Sequence, residues 1–251
     1  MKIIISPTMK MKEEQAGFHY KEKPFFLEKT ERLLGYLKSL SDDELKRIWQ
    51  TSEKLAQLNI KRIRRMDLEK NLSPAILSFQ GLQYQYMGAQ VLTSEELAYL
   101  EEHLYILSGF YGLLKPLDGI RPYRLEMKSR FEDWDYDSLY DYWQDDLAKK
   151  IQAESKVILN LASKEYSQTL TKHLTEETQV IDCVFGEWIE GKVNQKATLL
   201  KMARGEMVQY LARNQVSDLE EVKEFKGQGY EFKEELSDTD TFVFVKENEK
   251  I

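Results

Sequence analysis

Apolar residues are spaced differently in the two halves of the chain. As far as residue 103 they recur three or four positions apart, and this spacing predicts helices over 24–40, 41–66, 74–92 and 93–103. Ser41 with Glu44, and Thr93 with Glu96, have the spacing of a capping box, in which two side chains satisfy the first amides of a helix. The first part of the chain is therefore predicted to be mainly helical.

Later in the chain, short apolar runs alternate with helical patterns. The apolar runs predict strands at 104–108, 156–161, 179–185, 192–200 and 241–245. Helical spacing predicts helices at 138–151, 163–174, 203–214 and 217–225. Gly191 separates two of the strands and favours a hairpin between them. The chain shows no repeat and no linker, so the strand at 2–6 is expected to join the later strands in one sheet.

These elements predict an α/β fold of mixed α+β character. We expect one domain over 1–251, with a central mixed sheet flanked by helices and a ligand crevice at the strand ends. Four of the predicted strands are followed directly by polar segments, and parallel strands place such segments at one edge of a sheet. The residues expected to converge there are Ser6, Lys10, Ser108, Tyr111, Asn160, Ser163, Tyr166, Lys201 and Arg204.

Each of these residues also has a purely structural explanation. Serine before a helix is typically a cap, and tyrosine is often a core aromatic with a hydrogen-bonded hydroxyl. Gly109 and Gly112 either supply turn conformations or let backbone amides approach a ligand closely. Lys201 and Arg204 are three positions apart, so on a helix they share a face and could hold one phosphate. The convergence of four such segments favours a site.

The segment 116–126 is expected to form a stiff wall of the crevice. Pro116 and Pro122 fix their own backbone angles and restrict the residues before them. The side chains that this wall would present are Arg121, Tyr123, Arg124 and Glu126. The structural alternative is a set of surface ion pairs, which contribute little to stability.

Composition narrows the possible functions. The net charge of −7 opposes nonspecific attraction to nucleic acid or to anionic membranes, so any such binding must use a local group of donors. We expect a cytoplasmic protein without a membrane partner, because the sequence contains neither a signal peptide nor an apolar run of membrane-spanning length. The single cysteine, Cys183, allows no intramolecular disulfide. The three histidines are scattered, so neither a metal site nor a cofactor is predicted.

Several motifs give the sequence a resemblance to the YaaA family of bacterial peroxide-stress proteins. They are the N-terminal SP, SEKLAQLN, FQGLQYQYMGA, LSGFYGLLKPLDGIRPYRLEM, NLASKEY, KMARGEM, FKGQGYEF and TFVFV. The family's motif positions fall on Ser108, Gly109, Tyr111, Gly112, Pro116, Leu117, Asp118, Pro122, Tyr123, Arg124, Glu126, Asn160, Ser163, Glu165, Tyr166, Lys201, Arg204 and Gly205. The chain departs from the usual pattern at SPTMK, where the place of the lysine is ambiguous by one residue, at Lys128 and at Met202.

The resemblance implies a role in limiting peroxide damage to DNA and protein, linked to low free iron. It also implies an α/β fold with a basic cleft, DNA binding and an element like a helix-hairpin-helix. That element would fall near 78–89, with Phe79, Gly81 and Tyr84 on a nucleic-acid surface.

Three functional hypotheses follow. In the first, the crevice receives a nucleotide of DNA, with phosphate on Lys201 and Arg204 and a base stacked on Tyr111 or Tyr123. In the second, the protein is a base-processing enzyme of the N-glycosidase type with Glu126 or Asn160 at the glycosidic bond. The third is iron handling by carboxylates of the acidic run 132–146.

Overall fold

A computed structural model describes residues 1–13, 19–132 and 134–246. The strands are β1 (Lys2–Ile5), β2 (Lys10–Met11), β3 (Ser73–Pro74), β4 (Phe79–Gln80), β5 (Leu104–Ser108), β6 (Gly112–Leu114), β7 (Gly119–Ile120), β8 (Val157–Leu161), β9 (Gln179–Ile189), β10 (Lys192–Asn194), β11 (Tyr230–Phe232) and β12 (Thr241–Lys246). The helices are α1 (Leu27–Ser39), α2 (Asp42–Trp49), α3 (Glu53–Arg65), α4 (Ala75–Ser78), α5 (Leu82–Met87), α6 (Ser94–His103), α7 (Leu139–Trp143), α8 (Asp146–Gln152), α9 (Lys164–Thr171), α10 (Ala197–Asn214) and α11 (Leu219–Lys223).

The main sheet is mixed, with strand order β11-β12-β9-β8-β1-β5-β6, and β10 pairs with β9. Strands β12, β9, β8, β1 and β5 are parallel to their neighbours in that order, whereas β11, β6 and β10 are antiparallel. Strand β1 lies between two parallel neighbours, so Ile3, Ile4 and Ile5 are fully buried. The predicted α/β fold with a central mixed sheet and flanking helices is confirmed.

The parallel strands fix where the following segments lie. Because β1, β5 and β8 are adjacent and parallel, Ser6, Gly109 and Ala162 all emerge at one edge of the sheet. The hairpin of β9 and β10 was predicted around Gly191, and it forms there, with Glu190 and Gly191 at positive φ.

Four sequence predictions of element boundaries are wrong. The strand expected at 192–200 ends at Asn194, and Ala197 begins α10, so Lys201 lies on a helix rather than after a strand. The helix expected over 41–66 is interrupted at Gln50 in the left-handed conformation, and that over 138–151 at Gln144, also at positive φ. The helix expected over 74–92 is divided into α4 and α5, with β4 between them pairing with β2.

Helices α5 and α10 cross with their backbones in contact. A Cβ atom added at Gly205 of α10 would lie 2.1 Å from the Gln83 carbonyl oxygen and 3.0 Å from the Met87 nitrogen, both in α5. Only glycine permits this approach, because any side chain would overlap backbone atoms. The contact sets Gln83 beside Arg204, which precedes Gly205 in the chain.

We predict that Gly205→Ala lowers the free energy of unfolding by about 2–4 kcal/mol, because α5 and α10 must separate to admit the methyl group. Gly35→Ala is the matched control. Gly35 lies on the exposed side of α1 with no atom within 4 Å of an added Cβ, so alanine there is expected to be neutral or to stabilise by about 0.5–1 kcal/mol. Urea denaturation of both variants measures the difference, and equal effects would contradict the contact.

A buried acid holds the turn at the start of the proline-bearing wall. The Asp118 carboxylate accepts the Lys115 amide at 2.8 Å, and Glu101 accepts the Leu117 amide at 3.0 Å. Burial raises the pKa of Asp118 to about 7, and the nearby charge of Glu101 adds to that rise. The turn therefore depends on a carboxyl group that is costly to ionise.

This shift predicts that the protein loses stability as pH rises. The pKa of Asp118 is higher in the folded than in the unfolded state, so the folded state binds more protons between pH 4 and 7. The free energy of unfolding should fall across that window by at most about 4 kcal/mol from this group. Asp118→Asn keeps an oxygen that can accept the amide, and urea denaturation at pH 5 and pH 8 should show a smaller difference than in the wild type. An unchanged pH dependence would exclude Asp118 as its source.

Candidate functional site

A cleft of about 460 Å³ opens at the edge of the sheet where β1 and β8 end. Its walls come from the segment 6–10 after β1, the residues 80–83 that lead into α5, and the segment 126–128. The first turn of α9 and the second turn of α10 complete it. The lining residues are Ser6, Pro7, Thr8, Met9, Lys10, Gln80, Gly81, Leu82, Gln83, Glu126, Lys128, Ser163, Glu165, Tyr166, Lys201 and Arg204. Seven of the residues that the sequence assigned to the site therefore lie together: Ser6, Lys10, Glu126, Ser163, Tyr166, Lys201 and Arg204.

Two serines join the loops at the floor of the cleft. The Ser6 hydroxyl accepts the Ser163 amide at 2.8 Å and donates to the Ser163 hydroxyl at 3.2 Å. Ser163 is the N-cap residue of α9, yet its side chain does not cap the helix. Its own hydroxyl hydrogen and the first amides of α9 are therefore available to a ligand.

Three buried polar groups of the cleft have no hydrogen-bond partner in the described part of the chain. They are Gln83 Nε2, the Tyr166 hydroxyl and Arg204 Nε. Gln83 and Tyr166 are each only 5% exposed, and Tyr166 has no more than a weak contact with the Met127 backbone. A buried polar group without a partner costs about 1–3 kcal/mol, so such groups are rare unless a ligand satisfies them.

Tyr166 and Arg204 are both protonated at neutral pH and can therefore donate hydrogen bonds. Burial raises the pKa of Tyr166 far above its ordinary value, so the phenol keeps its proton at neutral pH. Burial lowers the pKa of Arg204, but arginine starts so high that the guanidinium stays charged. The floor of the cleft therefore presents donors and a cation, which suit a ligand rich in acceptor oxygens.

Exposed cations and two acids complete the lining. Lys10 and Lys201 are exposed and form no ion pair with any residue the structure describes. Glu126 and Glu165 share one cation, Lys128, whose Nζ lies 3.4 Å from Glu126 Oε2 and 3.9 Å from Glu165 Oε2. The cleft is therefore positive at Lys10 and Lys201 and contains a carboxylate pair around Lys128.

Several predicted site residues are part of the core instead. Tyr111 is 1% and Tyr123 2% exposed, so the prediction that either ring stacks on a base is wrong. Tyr111 bonds the Arg121 backbone through its hydroxyl, which accepts the amide at 3.0 Å. The Tyr123 hydroxyl lies 2.7 Å from the hydroxyl of Ser108, which is fully buried and also accepts two amides of the turn that follows it. The structural explanation of these residues is the correct one.

The two glycines of this turn serve packing. A Cβ at Gly109 would lie 2.8 Å from the Leu125 carbonyl oxygen, and one at Gly112 about 3.0 Å from Trp143. Gly112 also has a φ of 77°, which side chains rarely adopt. Neither glycine lines the cleft, so the expectation that they bring amides to a ligand is wrong.

Asn160 and Arg124 also lie outside the cleft lining. Asn160 donates to Asp182 at 2.6 Å and accepts the Ala162 amide at 2.9 Å, so both ends of its amide hold the turn after β8. The Arg124 guanidinium lies 3.8 Å from Glu126, with its Nε buried and unpartnered. Arg124 therefore lies near Glu126 without lining the cleft, and Asn160 holds a turn.

The helix-hairpin-helix expected near 78–89 does not form a surface as predicted. Helices α4 and α5 have four and six residues, and Phe79 and Tyr84 are buried. Tyr84 donates to the Ser6 carbonyl at 3.0 Å and so supports the floor of the cleft. Gly81 alone of the three predicted residues lines the cleft.

Gln83 was not predicted from the sequence. Its signal is indirect, because Gly205 marks a close backbone approach whose partner only the fold reveals. Within the described ranges, no cluster of three or more histidine, cysteine, aspartate or glutamate side chains could hold a metal ion. The acidic run 132–146, proposed for iron, includes Asp133, which lies outside the described residues.

No helix in the part of the chain that the structure describes is long and apolar enough to cross a membrane.

Comparison with known proteins identifies the family. Residues 1–236 match the family described as peroxide stress protein YaaA. The chain is 48% identical over 246 residues to a UPF0246 protein of Lachnoclostridium phytofermentans, covering 98% of this chain and 96% of the relative. UPF0246 proteins of Desulfitobacterium hafniense and Pediococcus pentosaceus are 47% and 44% identical, each alignment covering 98% of both chains. The chain therefore belongs to the peroxide stress protein YaaA family, which gives it a general role in oxidative stress.

Proposed function

We propose that the protein protects DNA during peroxide stress by binding a nucleotide of the strand in the cleft. The observation that carries this proposal is the set of unpartnered donors at Gln83, Tyr166 and Arg204, beside Lys201 and the first turn of α9. A phosphate group has the acceptor oxygens and the charge that such donors require. The proposed partner is DNA. The proposed place of action is the cytoplasm.

The overall charge favours a local rather than a diffuse mode of binding. With a net charge of −7, the protein surface as a whole repels a polyanion. Attraction must come from Lys10, Lys201 and Arg204, which face the cleft. We therefore propose weak or structure-selective binding, in which a nucleotide that can leave its stack reaches the floor.

The link to free iron does not enter this proposal as metal binding. No metal-binding cluster supports direct iron binding by the described residues. We therefore place the protective action at DNA, and the effect on iron remains a prediction from the family resemblance.

The removal of the two α10 cations tests this proposal. Lys201→Ala with Arg204→Ala should weaken binding of single-stranded or mismatched DNA by about 10- to 100-fold, because two charge-assisted contacts to phosphate are lost. The dependence of affinity on salt should also become shallower, since fewer counterions are released. Fluorescence anisotropy with labelled oligonucleotides at several salt concentrations measures both effects.

The control pair is Lys61→Ala with Arg65→Ala on α3. It removes the same charge from exposed positions of the basic run KRIRR, outside the cleft. Its binding should be close to that of the wild type. If the two pairs weaken binding equally, or neither does, the cleft is not the binding site.

A second candidate is a base-processing enzyme of the N-glycosidase type. It is favoured by the position of Glu126, whose carboxylate lines the cleft with the protonated phenol of Tyr166. Enzymes that act on a base hold it out of the stack and need a carboxylate near the glycosidic bond. Asn160, the other candidate, is excluded from this role by its internal hydrogen bonds.

The enzymatic candidate predicts that oligonucleotides with damaged bases release free base in the presence of the protein. Glu126→Gln should abolish this release while leaving binding within about twofold, because the amide keeps the shape of the side chain. Chromatography of the products measures the reaction. Release by the variant at the wild-type rate would exclude Glu126, and no release by the wild type would remove this candidate.

A further inference from the structure

Glu126 and Glu165 are the two acids of the cleft, and their contacts are long. Glu126 lies 3.4 Å from Lys128 Nζ and 3.8 Å from the Arg124 guanidinium. Glu165 lies 3.9 Å from Lys128 Nζ and 3.4 Å from the Lys128 amide. Strong charge-assisted hydrogen bonds are about 2.7–2.9 Å long, so both carboxylates have acceptor capacity that the protein does not use.

Glu154, an acid of similar exposure outside the cleft, is paired more closely. Glu154 is paired with Lys2 at 2.8 Å and with Lys150 at 2.7 Å, and it also accepts the Tyr105 hydroxyl at 2.9 Å. Its side chain is 24% exposed, close to the 31% of Glu126 and the 28% of Glu165. The three glutamates are therefore similarly exposed, but only Glu154 forms short ion pairs, whereas the ion pairs of Glu126 and Glu165 are long.

A second feature of the same cleft also points to a ligand. The Tyr166 hydroxyl, buried and without a partner, lies close enough to Glu126 and Glu165 to feel their charge. The unpartnered Gln83 amide lines the cleft as well. A ligand that satisfies these groups must offer acceptors to the phenol and the amide, and N–H donors to the carboxylates.

We propose that Glu126 and Glu165 read the base of the bound nucleotide by accepting hydrogen bonds from its N–H donors, with guanine as the preferred base. This proposal rests on the proposed function, because it assumes that a nucleotide occupies the cleft. Guanine presents two neighbouring donors, N1–H and the N2 amine, which match the two oxygens of one carboxylate. It also carries the O6 acceptor beside them, which can take the Tyr166 hydroxyl and so leaves Arg204 and Gln83 to hold the phosphate.

The other bases satisfy the site less well. Hypoxanthine keeps N1–H and O6 but lacks the amine, and thymine has a single N–H between two carbonyl oxygens, which a carboxylate repels. Cytosine and adenine offer an amine beside an acceptor nitrogen. One bidentate contact discriminates between bases by about 1–3 kcal/mol, so guanine should bind about tenfold more tightly than thymine.

Lys128 has a defined role in this arrangement. Its side chain is 66% exposed, and its ammonium lies between the two carboxylates, where the donor edge of the base would bind. It balances their charge and must move aside when the base enters. Lys128 is thus a tethered competitor for the base, and its removal should increase selectivity although it removes a positive charge.

The test uses thymidine decamers with one central guanine, hypoxanthine or thymine, labelled for fluorescence anisotropy with the full-length protein. The wild type should bind the guanine decamer about tenfold more tightly than the thymine decamer, with hypoxanthine between them. Glu126→Gln with Glu165→Gln should remove the preference and leave thymine binding equal or tighter, since two negative charges are lost. Lys128→Met should raise the ratio of guanine to thymine affinity and weaken thymine binding.

Glu28→Gln with Glu95→Gln is the matched control, because it removes the same charge from exposed helix positions outside the cleft. This pair should keep the guanine preference. Equal affinity of the wild type for all three decamers overturns the base-reading role but leaves phosphate binding intact. The absence of binding to any decamer overturns the proposed function and this inference with it. A guanine preference that survives in the double glutamine variant assigns base reading to other groups.

Discussion

The backbone contact between α5 and α10 is the constraint on which the cleft depends. Gly205 lets the two helices approach until an added methyl group would overlap the Gln83 carbonyl. That approach places Gln83 and Arg204 side by side and aims α10 at the sheet edge where β1 and β8 end. Parallel pairing of these strands supplies the other wall, because it brings Ser6 and Ser163 within hydrogen-bond distance. A site made in this way needs both the sheet and the helix crossing.

The cleft keeps polar groups unsatisfied at a cost to stability. Two polar residues outside the cleft show buried groups that serve the fold: Ser108 closes a turn, and Asn160 uses both ends of its amide. In the cleft, the buried polar groups of Gln83, Tyr166 and Arg204 have no hydrogen-bond partner among the described residues. Each such group costs about 1–3 kcal/mol in the absence of a ligand, and a ligand with acceptor oxygens would recover that free energy. The arrangement is typical of a binding site preorganised at the expense of stability.

The sequence predicted the sheet and much of the cleft because both follow from local rules. Apolar runs followed by polar segments marked β1, β5 and β8, and parallel pairing brought two of the three segments to the cleft. For the third segment, after β5, and for the wall 116–126, the prediction failed because Tyr111 and Tyr123 have polar ends that are satisfied inside the core. Lys201 lines the cleft, although the apolar run before it belongs to α10 and not to the predicted strand. Gln83 could not be predicted, because its position depends on a crossing between helices more than 100 residues apart in sequence.

In our proposal, the unpartnered donors of the cleft hold a phosphate group. A crystal structure of the protein with a bound thymidine dinucleotide would show whether they do. We expect a phosphate with oxygens about 3 Å from Arg204 and from at least one of Gln83 and Tyr166. A dinucleotide bound elsewhere on the surface, with these three groups still unpartnered, would contradict it.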